Sequence, residues 1–412
     1  MPSPPIRPLL LTVILAGLFC RLMFVFFTPT FYAPDELAHF NYIQYLAEHR
    51  SFPVMTHTLG DPANEWEFPQ PPLFYLLMVP FFAAAKAAAL PLVATVRLLR
   101  GCAILLWGLN LWLGVGLLKR LEIKDRFIWV FLLAMASLLP TYTFVSSAIN
   151  NDNLLATWSG GLLCLLVRRE TTLKNSAALG LLLGFALLTK KSAVVFMPAF
   201  ALAALWDGFS HPTRWSAVLV HLGLAFGLAL LMYVPWAVRD WHVYGTLNPE
   251  FLTVPRKVWP SPMYGIASAV HNLVKTFWAV SGVSNEVGYP LPLPGMLLLL
   301  LASLPLPAGL KDQRSDEISL GHSSPMVMVV FLFVVLITSL LALRVGYGFG
   351  MGQGRHLFPL LFPIALLLAM RLRRLPLKNL EWWAAGFWVA YGVAFLVFSL
   401  CRFPSHYAVP GV

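Results

Sequence analysis

Apolar runs recur from one end of the chain to the other, near residues 8–28, 98–118, 127–145, 154–168, 176–189, 192–206, 216–236, 291–310, 324–343, 356–370 and 380–400. A helix needs roughly 20 apolar residues to cross the hydrocarbon core of a bilayer, and these runs reach or approach that length. With 58% of residues hydrophobic and 11% charged, a water-soluble fold could not hide so much apolar surface. The pattern predicts an all-α, polytopic integral membrane protein with about eleven transmembrane helices. No stretch reads as a separate soluble domain. Residues 1–412 are expected to form one integral membrane domain, with a first outer loop over 29–96 and a second over 237–290.

A further run, 72–93, is long enough to span. Counting it would put the N-terminus and the Lys119/Arg120 cluster on opposite sides, and Pro80, Lys86 and Pro91 interrupt it. It is expected to be an outer-side juxtamembrane or re-entrant helix. The basic residues mark the cytoplasmic side: Arg7; Lys119, Arg120, Lys124 and Arg126; Arg168 and Arg169; Arg214; Lys311 and Arg314; Arg371, Arg373 and Arg374. The formal charge of +11 is thus a topology signal, and no nucleic-acid partner is expected. Cys20, Cys102, Cys164 and Cys401 stand at unrelated spacings, which suggests neither a disulfide framework nor a metal cluster. Residues 8–28 are expected to be a retained anchor, with the N-terminus cytoplasmic and the C-terminus outside.

This parity sends the remaining polar motifs to one face. Pro34-Asp35-Glu36-Leu37-Ala38-His39 follows the first span. Proline and acids suit a helix start, but a carboxylate there can also take a proton from an attacking hydroxyl. Asp35 and His39 are four residues apart and share a helical face. Pro69-Gln70-Pro71-Pro72-Leu73-Phe74-Tyr75 forces an extended entry into the next helix, either a rigid turn or a groove wall. Asn150-Asn151-Asp152-Asn153 is a tight polar turn or a second acid facing the first. Lys190 and Lys191 fall near the outer face, where topology does not favour lysine; they snorkel to the surface or pair with an anion such as a lipid phosphate. In Gly348-Phe349-Gly350-Met351-Gly352-Gln353-Gly354-Arg355-His356, glycines let backbone approach a ligand closely, and arginine grips phosphate with two donors. An ordinary re-entry turn is the alternative. The 237–290 loop carries Trp241, Trp259, Trp278 and Glu286, whose aromatics suit either an interfacial belt or stacking on sugar rings.

In this order, Pro34-Asp35-Glu36-x-x-His39, Pro71-Pro72-Leu73-Phe74-Tyr75, Asn151-Asp152, Leu187-Leu188-Thr189-Lys190, Pro235-Trp236-Ala237-Val238-Arg239 and Gln353-Gly354-Arg355-His356-Leu357-Phe358-Pro359 resemble the GT-C superfamily of membrane glycosyltransferases. The resemblance is to compact bacterial members of the protein O-mannosyltransferase and aminoarabinose transferase branch. It implies transfer of a sugar from a polyprenyl-phosphate-linked donor to an acceptor hydroxyl, with inversion, at the non-cytoplasmic face of a bacterial inner membrane. On that resemblance Asp35 is the base or acceptor-orienting acid, with Glu36 as its understudy and Asp152 as the second acid. Arg355 and Lys190, with Gln353 and His356, would hold the donor phosphate. His39, Tyr42, Pro71, Tyr75, Asn151, Trp278 and Glu286 would shape the acceptor groove. The family's second acid often stands in an Arg-Pro-Asp or Asp-x-Asp context, and here it is Asn151-Asp152-Asn153. No cofactor is therefore required; a divalent magnesium or manganese ion would have Asp35 and Asp152 as ligands. Larger members handle the acceptor with a soluble domain, so the acceptor, whether glycan, lipid or protein, is not carried over. The alternative is a transporter or flippase of lipids or polyprenyl-linked sugars. Paired halves with polar groups at the midplane would mark one, and the sequence has no internal repeat.

Overall fold

As far as they are described, the apolar runs fall on helical segments, with 127–145, 192–206 and 356–370 each divided between two segments, in the computed structural model, which describes residues 6–56, 64–168, 172–252, 254–283, 290–303, 324–375 and 378–404. In chain order the helices are α1 (Ile6–Phe27), α2 (Glu36–His49), α3 (Leu73–Ala87), α4 (Leu92–Arg120), α5 (Arg126–Leu138), α6 (Pro140–Val145), α7 (Asp152–Arg168) and α8 (Leu173–Thr189). They continue with α9 (Phe196–Ser210), α10 (Trp215–Tyr244), α11 (Pro262–Trp278), α12 (Leu293–Ser303), α13 (Ser324–Phe349), α14 (Leu361–Leu372) and α15 (Leu380–Arg402). The described residues contain no strand. Among them, 7 helical stretches are long and apolar enough to cross a membrane, and α3, α5, α8 and α12 are shorter apolar helices. The protein is an integral membrane protein. The expected basic positions Arg169, Lys311 and Arg314 lie outside the described residues.

Three boundaries differ from the sequence reading. The 72–93 run is the 15-residue α3, about 22 Å long at ~1.5 Å per residue and short of the ~30 Å core. Residues 92–97 belong instead to α4, which starts directly after Pro91. The second outer loop starts at Gly245 and not at 237, because α10 runs through Pro235 to Tyr244. Proline is tolerated inside apolar helices whose neighbours and local adjustments re-satisfy the freed carbonyl. That loop also contains a helix, α11, whose Pro262 sits in the first turn and whose Ser261 side chain caps Tyr264 N.

The helices pack in two neighbouring groups. α1, α4, α14 and α15 each pack on α5, α1 also packs on α4 and α15, and α7 lies against α4; α8 packs on α7 and α10, and α9 packs on α10 and α13. α2 and α3 form a smaller layer beside α4 with its own apolar core, including Tyr42, Phe74, Tyr75 and Leu99.

The first group depends on one buried cation. Pro140 has no amide hydrogen and its ring would clash with the carbonyl of Ala136, so α5 stops at Leu138 and α6 starts afresh. This leaves carbonyls of Ala136 and Ser137 without helical donors. Arg21 of α1, 0% exposed, donates to Ser137 O at 2.5 Å, Gly17 O at 3.1 Å and Ser146 Oγ at 2.9 Å. Its guanidinium lies 4.1 Å from the Trp107 ring centroid, and Trp107 Nε1 donates to Ala136 O at 3.0 Å. α1 comes close enough because residue 17 is glycine; a Cβ there would stand 2.6 Å from Ser137 O. Each buried acceptor left unsatisfied costs about 1–3 kcal/mol. Arg21→Leu should therefore lower the unfolding temperature in lipid nanodiscs clearly, and Arg21→Lys by less. Equal melting of wild type and Arg21→Leu would contradict this role.

Candidate active site

Beside the start of α2 and the end of α8 lies a cavity of about 270 Å³ with two unlike walls. One wall is polar, with Asp35, His39, Glu67, Lys190, Gln353, Arg355 and His356. The other is apolar, with Val195, Phe251, Val254, Leu341, Ala342 and Val345. The polar motifs expected on one face thus meet in one place.

Asp35 sits at the N-cap of α2 in the left-handed region, φ 58°, without capping the helix. That conformation is unusual for a residue with a Cβ, although aspartate tolerates it better than most. Instead of serving the helix end, its carboxylate is ion-paired with Arg355 Nη2. Arg355 belongs to a 3₁₀ segment, Gly354–Leu360, that leads into α14. Gly354 brings this segment against the end of α11, where a Cβ would stand 2.1 Å from Phe277 N; its own N–H donates to Thr276 Oγ1 at 2.6 Å. This corrects the expectation for the glycine-rich stretch: at Gly354 the close approach is to protein backbone and not to a ligand. The remaining guanidinium nitrogens of Arg355, Nε and Nη1, are buried without a partner.

Asp152 starts α7, and its Oδ1 lies 2.5 Å from Lys190 Nζ. Lys190 is extended, φ −160°, where α8 ends and a 3₁₀ turn, Lys191–Val195, begins. The break turns the two lysines apart. Lys191 reaches Asp240 Oδ2 at 2.9 Å and Glu250 Oε2 at 3.1 Å.

Glu67 and its contacts were not read from the sequence. Tyr75 Oη donates to Glu67 Oε2 at 3.3 Å and is 3.0 Å from His39 Nδ1; Asn151 Nδ2 is 3.5 Å away. In the sequence Glu67 stands close to Asp61 and Glu65 ahead of the proline-rich entry to α3, and nothing there marks it out from them. Burial raises the Asp35 pKa, but the charges of Arg355, His39 and Lys190 outweigh it and hold the carboxyl below its usual range. Burial, with the charge of Asp35, pushes Glu67 up to about 8 against the pull of Lys190 and Arg355. Burial holds His39 down at about 3 although Asp35 favours its cation, so the imidazole is neutral at pH 7.

Other expected residues fall elsewhere. Glu36 does not reach the cavity. Its side chain is 0% exposed and is gripped by Arg100 of α4, Nε to Oε1 at 2.8 Å and Nη2 to Oε2 at 2.6 Å, while Ile149 N donates to it at 3.1 Å. One residue along a helix turns a side chain by about 100°, which sends Asp35 and Glu36 in different directions. This corrects its place as understudy to Asp35. Tyr42 and Pro71 are buried behind the wall; Tyr42 stacks on Tyr75 with centroids 3.8 Å apart and donates to Gln70 O. Trp278 is also corrected. It is buried at the end of α11 against Gly295 of α12, away from the cavity. Glu286 lies outside the described residues. Among the described residues no group of three metal-binding side chains forms, and Asp35 and Asp152 are each held by a cation. The residues present do not fit a divalent ion.

No protein-family model matches this chain, and no curated protein matches it in sequence. Among solved structures it is similar to ArnT from Cupriavidus metallidurans bound to undecaprenyl phosphate, with a TM-score of 0.54 and 13% identity over 95% of this chain and 63% of that one. It is also similar to the apo state of that protein, with a TM-score of 0.56 and 13% identity over 91% and 61%. At this identity the likeness shows the fold alone, an all-helical membrane fold shared with ArnT. The chain spans under two thirds of the length of the structures it matches, at 63% and 61%.

The Glu36–Arg100 pair is closed on all sides, so its role is structural. Breaking a buried pair from one side costs about 3–5 kcal/mol, and apolar replacement of both partners costs far less. Glu36→Gln should destabilise strongly, and Glu36→Leu combined with Arg100→Met should recover much of the loss in a double-mutant cycle. Additive losses would contradict the pairing.

Proposed function

We propose that the protein is a glycosyltransferase that moves a sugar from a polyprenyl-phosphate-linked donor to an acceptor hydroxyl, with inversion, at the non-cytoplasmic face of a bacterial inner membrane. The observation that carries this reading is the state of Arg355. One nitrogen holds Asp35, and two others are buried without a partner in a residue that lines a cavity with one polar and one apolar wall. Unpartnered guanidinium donors suit a phosphate, and the apolar wall suits the isoprenoid next to it. The undecaprenyl phosphate bound by ArnT, which shares the fold, supports the same ligand class here.

On this reading Arg355 links the two halves of the reaction. The donor phosphate takes guanidinium hydrogens that Asp35 leaves free, while Nη2 stays on Asp35. Sharing the cation with phosphate weakens its hold on Asp35, so the carboxylate becomes more basic when the donor is present. Asp35 then accepts the proton of the acceptor hydroxyl as that oxygen attacks the anomeric carbon. The bond from that carbon to the phosphate oxygen breaks on the opposite face. Arg355 and Lys190 stabilise the charge growing on the leaving polyprenyl phosphate. Asp152 holds Lys190 in place, and His356 and Gln353 border the phosphate side.

General-base catalysis contributes ~10²–10⁴-fold. Asp35→Asn should lose about that factor in release of free polyprenyl phosphate while the protein stays folded. Near-normal turnover would sink the assignment. Arg355→Lys removes the two-pronged grip and should weaken donor binding by roughly 10–100-fold, the equivalent of one lost charge-assisted hydrogen bond. Donor binding without release, in wild type and across a donor panel, would instead favour a transporter.

A further inference from the structure

The cavity holds more carboxyl groups than paired cations. Arg355 is taken by Asp35, and Lys190 by Asp152. Lys191 is turned to Asp240 and Glu250. Glu67 is left, among the described residues, with no lysine or arginine partner. Its basic neighbour is His39, whose Nδ1 is 3.7 Å from Oε2, and burial keeps that imidazole neutral. The one direct hydrogen bond to Glu67 comes from a neutral hydroxyl, that of Tyr75, at 3.3 Å. A buried carboxyl with neutral partners beside another carboxylate takes up a proton.

We propose that Glu67 is the proton-holding carboxyl of this cavity, and that its neutral form donates a hydrogen bond to the same phosphate whose charge Arg355 meets. The ligand in this inference rests on the reading of the cavity as a donor site; the location of the proton does not. The bonding geometry suits the role. Oε2 accepts from Tyr75, whose hydroxyl is fixed from behind by His39 Nδ1 and Asn151 Nδ2, so the proton sits on Oε1 of a side chain that lines the cavity. With the proton of the neutral imidazole on Nδ1, the hydrogen-bonded chain runs one way: His39 donates to Tyr75, Tyr75 donates to Glu67, and Glu67 donates to ligand. Asp35 and Glu67 then divide the acid and base roles between two environments, one beside a cation and one not.

The groups that face Glu67 are Asp35 and His39 from α2, Tyr75 from α3, Asp152 from α7, Lys190 after α8 and Arg355 before α14. Asp35 and Asp152 favour the neutral carboxyl, and Lys190 and Arg355 oppose it. Below about pH 8 the neutral form prevails; above it the proton leaves and adds a negative charge where the phosphate must sit. Binding should therefore weaken as pH rises through that value.

The test uses the full-length protein in nanodiscs and a short-chain polyprenyl phosphodiester, whose single charge does not change over the range. Its affinity is measured from pH 6.5 to 9.5 for wild type and Glu67→Gln. Infrared difference spectra of wild type against Glu67→Gln are taken over the same range without ligand. The proposal expects wild-type affinity to fall about tenfold per pH unit above roughly pH 8, with a flat profile in Glu67→Gln. It also expects a protonated-carboxyl stretch at neutral pH that disappears on alkalinisation and is missing from Glu67→Gln. A wild-type spectrum with no such stretch overturns the proton assignment. An equal fall in both proteins overturns the hydrogen bond to phosphate and leaves the donor site standing. Failure of the diester to bind either protein, with the stretch present, overturns the donor site and keeps the proton on Glu67. Should Glu67→Gln fail to fold, the wild-type infrared titration decides the proton, and the wild-type binding profile, if flat across pH 8, overturns the rest.

Discussion

Asp35 and Arg355 are 320 residues apart in sequence and in contact in the fold. Both side chains are partly buried, Arg355 11% and Asp35 28% exposed, and a charge withdrawn from water is costly to leave unpaired. Each therefore fixes the position of the other, and the link reaches from the start of α2 to the entry of α14. A second pair, Lys190 with Asp152, joins the end of α8 to the start of α7. Between them the pairs bring four distant segments to the polar wall of one cavity. They also define what is left over: two donors on Arg355 and one carboxyl, Glu67, without a cation.

The chain has another buried pair in the same region, and the contrast between them is informative. Arg100 gives Glu36 two hydrogen bonds, binds the carbonyls of Thr28 and Pro29, and leaves Glu36 with a further donor from Ile149. That network is complete and can only hold α2 and α4 together. The Asp35–Arg355 pair is incomplete and open to the cavity. Adjacent acids in one short motif thus serve two purposes, one closed and mechanical, the other available to a ligand.

The membrane class and the gathering of Asp35, Lys190 and Arg355 were legible in the sequence because both follow from one accounting. Apolar runs fix the helices, basic loops fix the parity, and polar groups that parity cannot explain must share a face. Direction within a helix was not legible from the motif alone, so Glu36 was read beside Asp35 when its side chain points toward α4. Trp278 was read as a surface aromatic because the 237–290 stretch looked like loop; α11, packed under α13, makes it interior. The apolar run 216–236 suggested a loop from 237, yet α10 continues to Tyr244. Glu67 escaped notice because it stands in a segment with no periodicity, and only tertiary contact shows that the nearby cations are already taken.

The central claim is that the donor's phosphate sits on the free side of Arg355 while Asp35 keeps the other. A cryo-electron microscopy structure of the protein in nanodiscs with a bound polyprenyl phosphate tests this directly. The account predicts phosphate density within hydrogen-bond reach of the Arg355 guanidinium, with the isoprenoid running along Val195, Leu341 and Val345. Phosphate density away from Arg355, or an isoprenoid seated at another groove of the bundle, would contradict it.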